Sequence, residues 1–104
     1  MDISELTRQM NAFVSAKGWY DPASPKQQTA RNLAISLSLE AAEILEHFQW
    51  HESDTNPNSL PGELADVALY LLQIASVTDI DLEKAILDKL ALNYSRDWPE
   101  EARP

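Results

Sequence analysis

Two short acidic pairs constrain the fold of this chain more than any other feature of its sequence. Glu40 and Glu43 lie in SLEAAEILEHFQW, and Glu63 and Asp66 lie in PGELADVALYLLQIA. Within each pair the acids are three residues apart, a spacing that places both side chains on one face of an α-helix. That face adjoins a nearly continuous apolar stripe in both segments. The acids are therefore expected at or beside a buried seam.

The balance of charge indicates what could occupy this seam. Carboxylates held close together away from bulk water repel one another and favour protonation unless a cation or a base neutralises them. The chain holds 8 Lys and Arg against 17 Asp and Glu, so side-chain bases are scarce. Carboxylates from facing helices supply the hard oxygen ligands that Mg²⁺ or Mn²⁺ prefers. We therefore predict a divalent metal site at Glu40, Glu43, Glu63 and Asp66, with Mg²⁺ as the cofactor and Mn²⁺ as a substitute.

A solvated helix face is the alternative reading of either pair alone, because spaced acids on a helix commonly face water. Two pairs joined by HESDTNPNSL favour the metal site. This linker is rich in residues that break helices. Helices on its two sides can return antiparallel, which would aim each acidic pair at the other.

Length and composition limit the class of protein. The 104 residues predict one domain, 1–104, with an ordered helical core over 1–99 and a tail over 100–104. The sequence contains no run of about 18 apolar residues, so it predicts no membrane span. MDISELTRQM does not have the pattern of a signal peptide. A chain without Cys fits the cytoplasm. The net charge of −9 disfavours binding to nucleic acid or to an anionic membrane.

Apolar periodicity and capping residues predict an all-α fold of four helices. The predicted helices span about Asp2–Lys17, Ala30–Trp50, Pro61–Val77, and a fourth segment that starts after a cap at Asp79 or Asp81 and stops before Pro99. Gly18 is expected to end the first helix, because glycine readily adopts the left-handed backbone of a helix end. The pattern is typical of a four-helix bundle.

A second group of polar residues lies on the fourth predicted helix. Lys89, Asn93 and Arg96 are spaced i, i+4 and i+7, which places an ammonium, an amide and a guanidinium on one face. Such a face can bind phosphate oxygens, with Arg as a bidentate fork and Lys as a point charge. The alternative is a structural role, since cations near a helix C-terminus complement the helix dipole.

Two tryptophans are candidates for stacking on a nucleobase. Trp50 closes the second predicted helix and Trp19 opens the loop before it, so each ring can be half exposed. A role as a lid on the core is the commoner use of Trp at a helix end. Trp98 is assigned to packing. His47 and His51 are assigned to the surface.

Several segments of the chain resemble a known family when taken together. RNLAISLSLEAAEILEHFQW, GELADVALYLLQIA and IDLEKAILDKLALNYSRDWP are similar to the all-α, MazG-like nucleoside triphosphate pyrophosphohydrolases, and look most like their dCTP pyrophosphatase branch. The order of motifs is ExxE, FQW, ExxD and KxxxNxxR. Many family members carry a Glu where this chain has Leu39, and the dCTP branch usually carries a His and a Pro at the positions of Gln28 and Ala30.

The resemblance implies Mg²⁺-dependent hydrolysis of a nucleoside triphosphate to a monophosphate and pyrophosphate. It also implies a homodimer or homotetramer, and a role in removing unwanted nucleotides from the nucleotide pool. It implies metal ligation by Glu40, Glu43, Glu63 and Asp66, phosphate contacts from Lys89, Asn93 and Arg96, and a base pocket lined by Trp50. From the residues themselves, Glu40 or Glu43 could accept a proton from the attacking water. Gln28 and Trp19 are further candidates for base contact.

Three other functions compete with a dCTP pyrophosphatase. Two are related activities on dUTP or on phosphoribosyl-ATP. The third is a non-catalytic helical module that dimerises through its Leu-rich faces and keeps the acids for solubility. Only an enzyme would release pyrophosphate in the presence of Mg²⁺.

Overall fold

The helical prediction is confirmed by a computed structural model, which describes residues 1–54 and 56–97. Over these residues the chain forms four α-helices and no strand. The helices are α1 (Ile3–Ala16), α2 (Ala30–Glu46), α3 (Leu60–Val77) and α4 (Leu82–Ser95). Trp98 and the predicted tail over 100–104 lie outside the described residues.

Side-chain caps fix the starts of three helices. The carboxylate of Asp2 accepts a hydrogen bond from the backbone N–H of Glu5 at 2.9 Å, and the hydroxyl of Thr29 accepts one at the start of α2 at 3.1 Å. Of the two candidate caps for α4, Asp81 accepts from the backbone N–H of Lys84 at 3.1 Å. Each cap satisfies an N–H group that has no partner inside its helix.

The second helix ends earlier than the periodicity predicts, at Glu46 instead of Trp50. After Glu46 the backbone tightens, since the N–H of His47 donates to Ile44 at 3.1 Å and that of Phe48 donates to Leu45 at 2.9 Å. The side chain of His47 is also bonded to residues of the α2–α3 connection and of α3. Trp50 therefore lies in the connection, beyond the helix.

The helices pack in a defined order along the chain. α2 and α3 form an antiparallel hairpin, α1 packs on α3, and α4 contacts α1. The buried core consists of Met10, Val14 and Leu72, and the residues that border it are Ile3, Trp19, Tyr20 and Leu82. The amide of Asn11 reinforces this packing, because its Nδ2 donates to Ser76 Oγ at 2.9 Å and its Oδ1 accepts from Tyr20 at 2.6 Å.

Several apolar faces stay uncovered in the single chain. The sequence predicts an apolar stripe on α4 made of Leu82, Ile86, Leu90 and Tyr94. This stripe is mostly exposed, and none of the residues of the helix is buried. Tyr94, at the end of this stripe, is 89% exposed. On α2 only Leu33 is fully buried, while Leu39 and Leu45 face solvent.

One of the described helices, α3, is long and apolar enough to cross a membrane when judged by length and composition alone, with a mean hydropathy of 1.3. The core helix of a helical bundle passes the same test. Here α3 packs against both α1 and α2, and it carries Glu63 and Asp66 in its first two turns. We therefore treat α3 as the central helix of the fold.

The two glycines of the chain provide a matched test of the backbone. Gly18 has φ of 76°, and a Cβ at Gly62 would meet nothing within 4 Å. Gly18→Ala is expected to lower the free energy of unfolding by roughly 1–2 kcal/mol, the cost of a left-handed L-residue. Gly62→Ala, inside α3, should raise it by up to about 1 kcal/mol. Urea unfolding measures both; equal effects of the two substitutions would contradict the role of Gly18.

Candidate functional site

The α2–α3 hairpin brings the four predicted acids together. Glu40 and Glu43 lie in the last two turns of α2, and Glu63 and Asp66 lie in the first two turns of α3. The pKa of Glu40 is raised, first by burial, then by a hydrogen bond with Glu43 and by the charges of Glu43, Asp66 and Glu63. All three other acids are thus close enough to Glu40 to affect its ionisation.

One oxygen of Glu40 lacks a partner. Its Oε2 atom is buried and accepts no hydrogen bond within the described part of the chain. A hydrogen bond with Glu43 requires one of the two carboxyls to be protonated, because two carboxylates have no donor between them. Ionised Glu40 therefore holds a desolvated oxygen among like charges, which is a costly arrangement without a cation. The donor set and this oxygen fit a hard divalent cation.

The acids are near neighbours but do not form a closed coordination shell. Among the residues that the structure describes, no three His, Cys, Asp or Glu side chains converge on one point that could hold a metal ion. One oxygen of Glu63, Oε2, contacts Nε2 of His47.

His47 is the centre of a second buried cluster, and its assignment to the surface is wrong. The residue is only 5% exposed. Its Nδ1 lies 2.6 Å from Oδ1 of Asp54, and its Nε2 contacts Oε2 of Glu63. The pKa of His47 is raised, chiefly by the hydrogen bond with Asp54; burial opposes this shift and Glu63 adds to it. Burial acts to raise the pKa of Asp54, but the backbone N–H of Asn56 and the imidazole bring it below its usual value.

A cavity of about 700 Å³ opens beside the acids. It lies between α1, the loop before α2, and the two helices of the hairpin, with Glu40 and Asp66 in its lining. Its volume is in the range of small-molecule sites. The wall opposite the hairpin includes Trp19, and the Nζ atom of Lys26 lies 5.0 Å from the centre of that ring.

Two amides make a polar contact in the wall of this cavity. Nε2 of Gln73, a buried residue of α3, donates to Oε1 of Gln28 at 2.7 Å. Nε2 of Gln28 in turn donates to the carbonyl of Lys26 at 2.8 Å. These two bonds fix the side-chain amide of Gln28, one of the residues predicted for base contact.

The other predicted site residues lie away from the cavity of their own chain. Lys89 is exposed on α4, Asn93 is half-buried there, and Arg96 is exposed directly after the helix ends at Ser95. Trp50 is 82% exposed, after the end of α2. Within the described residues, none of these four lines the cavity.

Sequence reasoning missed two residues of this region. His47 follows Glu43 by four positions and Glu40 by seven, so the same helical spacing that selected the acids also includes it. Gln73 is the polar residue in the run YLLQIA, and an amide within an apolar stripe signals a buried polar contact. The partner of Gln73 could not be read from the spacing, because Gln28 lies far away in the sequence.

Comparison with known proteins places this fold and chain in a family. A pyrophosphatase from Archaeoglobus fulgidus of known crystal structure superimposes with a TM-score of 0.75, at 33% identity, over 93% of this chain and 92% of the other. A dATP/dGTP diphosphohydrolase from cyanophage S-2L is 30% identical over 90 residues, which cover 86% of this chain and 75% of the phage protein. The chain belongs to the MazG-like nucleoside triphosphate pyrophosphohydrolases.

Other members of the pyrophosphohydrolase family are longer than this chain. Mouse dCTP pyrophosphatase 1 is 31% identical over 104 residues, which cover 90% of this chain and 58% of the mouse protein. The chain thus spans a little over half the length of the curated mammalian relative. No protein-family model matches it.

The raised pKa of Glu40 makes stability depend on pH when metal is absent. In EDTA, the contribution of Glu40 to the free energy of unfolding should be largest below the ordinary carboxyl pKa of 4.5 and should fall as pH rises through the pKa of folded Glu40. The reason is that folding favours its protonated form. Glu40→Gln should flatten this dependence. The pKa of His47 is also raised, so the free energy of unfolding should decrease further at higher pH, both in the wild type and in Glu40→Gln.

Urea unfolding of the wild type and of Glu40→Gln across a pH series measures the difference. Equal pH slopes for the two proteins would contradict the buried, like-charged environment assigned to Glu40.

Proposed function

We propose that this protein hydrolyses a nucleoside triphosphate between its α and β phosphates, giving a nucleoside monophosphate and pyrophosphate. The observation that carries the proposal is the position of Glu40 and Asp66, two acids of the α2–α3 cluster, in the wall of a cavity of about 700 Å³. Membership of the pyrophosphohydrolase family supports the same reaction. The biological role would be removal of unwanted deoxynucleotides from the nucleotide pool.

Glu40, Glu43, Glu63 and Asp66 would hold Mg²⁺, for which Mn²⁺ can substitute. The bound ion would supply neutralisation of phosphate oxygens and a lowered pKa for a nucleophilic water. The buried, unpaired oxygen of Glu40 supports this assignment, since it needs a cation or a proton.

The general base is Glu40 or Glu43. The carboxylate accepts a proton from water while the water oxygen forms a bond to the α phosphorus. The bond from the α phosphorus to the α–β bridging oxygen breaks, and pyrophosphate leaves with the electron pair.

The base would bind in the cavity between Trp19 and the amide of Gln28. Trp19 offers an aromatic face for stacking, and Gln28 is held by Gln73 so that its amide has a fixed orientation. We propose dCTP or a non-standard dNTP as substrate. Relatives of this chain carry the names of dCTP and of dATP/dGTP enzymes. The alternatives are dUTP and phosphoribosyl-ATP.

A second copy of the chain would complete the site. Lys89, Asn93 and Arg96 would bind phosphates and Trp50 would contact the base, yet these residues lie outside the cavity of their own chain. The uncovered apolar residues of α2 and α4 give such a copy a surface to bury. We therefore propose a homodimer or homotetramer in which one protomer lends these groups to the site of another.

The products of the reaction identify the bond that breaks. With Mg²⁺ and a dNTP in ¹⁸O-water, the products should be equal amounts of monophosphate and pyrophosphate, with the label in the monophosphate, because water attacks the α phosphorus. Mass spectrometry of the products measures this. Label in orthophosphate, with a diphosphate left over, would point to a γ-phosphatase.

Asp66→Asn should reduce pyrophosphate release to the level seen in EDTA, and Glu52→Gln, an exposed acid outside the cluster, is the matched control. If the protein is a non-catalytic helical module, the wild type and both variants should release no pyrophosphate.

Mutations should distinguish stacking on the base from hydrogen bonding to its edge. Trp19→Ala should weaken binding of nucleoside monophosphates by about 1–3 kcal/mol, similarly for every base, because any base can stack on an indole. Trp50→Ala should have a similar effect if it contributes from a second copy. Gln28→Ala should instead narrow the difference between dCMP and the other monophosphates, since hydrogen bonds to the base edge discriminate.

Calorimetric titration with four deoxynucleoside monophosphates measures all three variants. A changed order of preference in Trp19→Ala, together with an unchanged order in Gln28→Ala, would contradict this division of roles.

A further inference from the structure

The cluster around His47 has no role in the proposed reaction as described so far. His47 is buried at the end of α2, Asp54 lies in the α2–α3 connection, and Glu63 lies in the first turn of α3. The imidazole thus joins three successive parts of the chain. Of these residues, only Glu63 belongs to the proposed metal site.

The contact with His47 uses one oxygen of Glu63. Nε2 of the imidazole contacts Oε2, which leaves Oε1 as the oxygen available to a cation. In metal sites the ligating carboxylates are commonly held by a hydrogen bond of this kind.

The other side of the imidazole is fixed as well. Its Nδ1 lies 2.6 Å from Oδ1 of Asp54, and the same oxygen accepts the backbone N–H of Asn56 at 2.8 Å. The hydrogen bond from Asn56 therefore fixes the carboxylate of Asp54, and this carboxylate fixes the imidazole ring. Burial of His47 removes other orientations of the ring.

We propose that His47 is a positioning residue that orients Glu63 toward Glu40 for binding of a divalent cation. The inference rests on the metal site of the proposed function and names a residue that acts on it without touching the substrate. His47 ties the end of α2 to the start of α3, the two ends that carry the acidic pairs. Loss of the imidazole would free Glu63 to turn away from the other three acids.

Mn²⁺ binding to the full chain, followed by electron paramagnetic resonance of the free ion, tests this without any substrate. His47→Ala should weaken Mn²⁺ binding by about 10–100-fold, the usual effect of removing a group that holds a ligand. His51→Ala is the matched control, because His51 is the other histidine of the chain and is exposed. Its Mn²⁺ affinity should equal that of the wild type.

A double-mutant cycle separates positioning from general loss of structure. If His47 acts through Glu63, then His47→Ala should cost little further Mn²⁺ affinity in a Glu63→Gln background. His47→Gln keeps a side-chain N–H and should recover part of the affinity. Asp54→Asn weakens the hold on the ring and should cost affinity even if His47→Ala fails to fold.

Additive losses in the cycle, or unchanged Mn²⁺ affinity in both His47→Gln and Asp54→Asn, would overturn the inference. Such a result with pyrophosphate release intact would leave the proposed function standing. If these variants lose Mn²⁺ affinity as expected but the wild type releases no pyrophosphate, the proposed function alone would be overturned. A wild type that binds no Mn²⁺ would overturn the metal site and the role of His47 together.

Discussion

Mutual repulsion among four carboxylates at the seam of α2 and α3 is the constraint on which the rest of this structure depends. The two helices pack as a hairpin, yet their facing ends bring Glu40 and Glu43 close to Glu63 and Asp66. Two features offset this repulsion: the pKa of Glu40 is raised, and Glu63 contacts a buried histidine. The raised pKa favours the neutral form of Glu40, which lowers the negative charge at the seam.

The apolar core is built away from this seam. Met10, Val14 and Leu72 pack between α1 and α3, and Asn11 reinforces the contact through Ser76 and Tyr20. This arrangement leaves room for the cavity between α1 and the hairpin. It also leaves most of α4 with little to pack against in a single chain. Lys89 and Asn93 lie on this helix and Arg96 follows it, so the second copy proposed above would account for both the exposed apolar stripe and the position of these residues outside the cavity.

Local features of the sequence predicted most of the fold. The starts predicted for α1 and α2 match the structure, and Asp81 is the one of the two candidate caps of α4 that accepts a hydrogen bond. Such starts can be predicted because a cap and its target lie within one turn of each other. The approach of the acids followed from their spacing and from the breaker-rich linker. The early end of α2 and the burial of His47 could not be predicted in this way, since both depend on Asp54 and Glu63, which lie beyond the helix.

The proposed base pocket depends on longer-range contacts than the proposed metal site does. The acids occur as two local pairs, whereas Gln28 is held by Gln73 from the far end of the hairpin, and Trp19 reaches the cavity from the loop after α1. A change in either contact would alter the base pocket without touching the acidic motifs. Relatives of different nucleotide preference illustrate the point: a mouse enzyme named for dCTP and a phage enzyme named for dATP and dGTP are 31% and 30% identical to this chain. Under the proposed function, the residues around Gln28 would therefore decide the base.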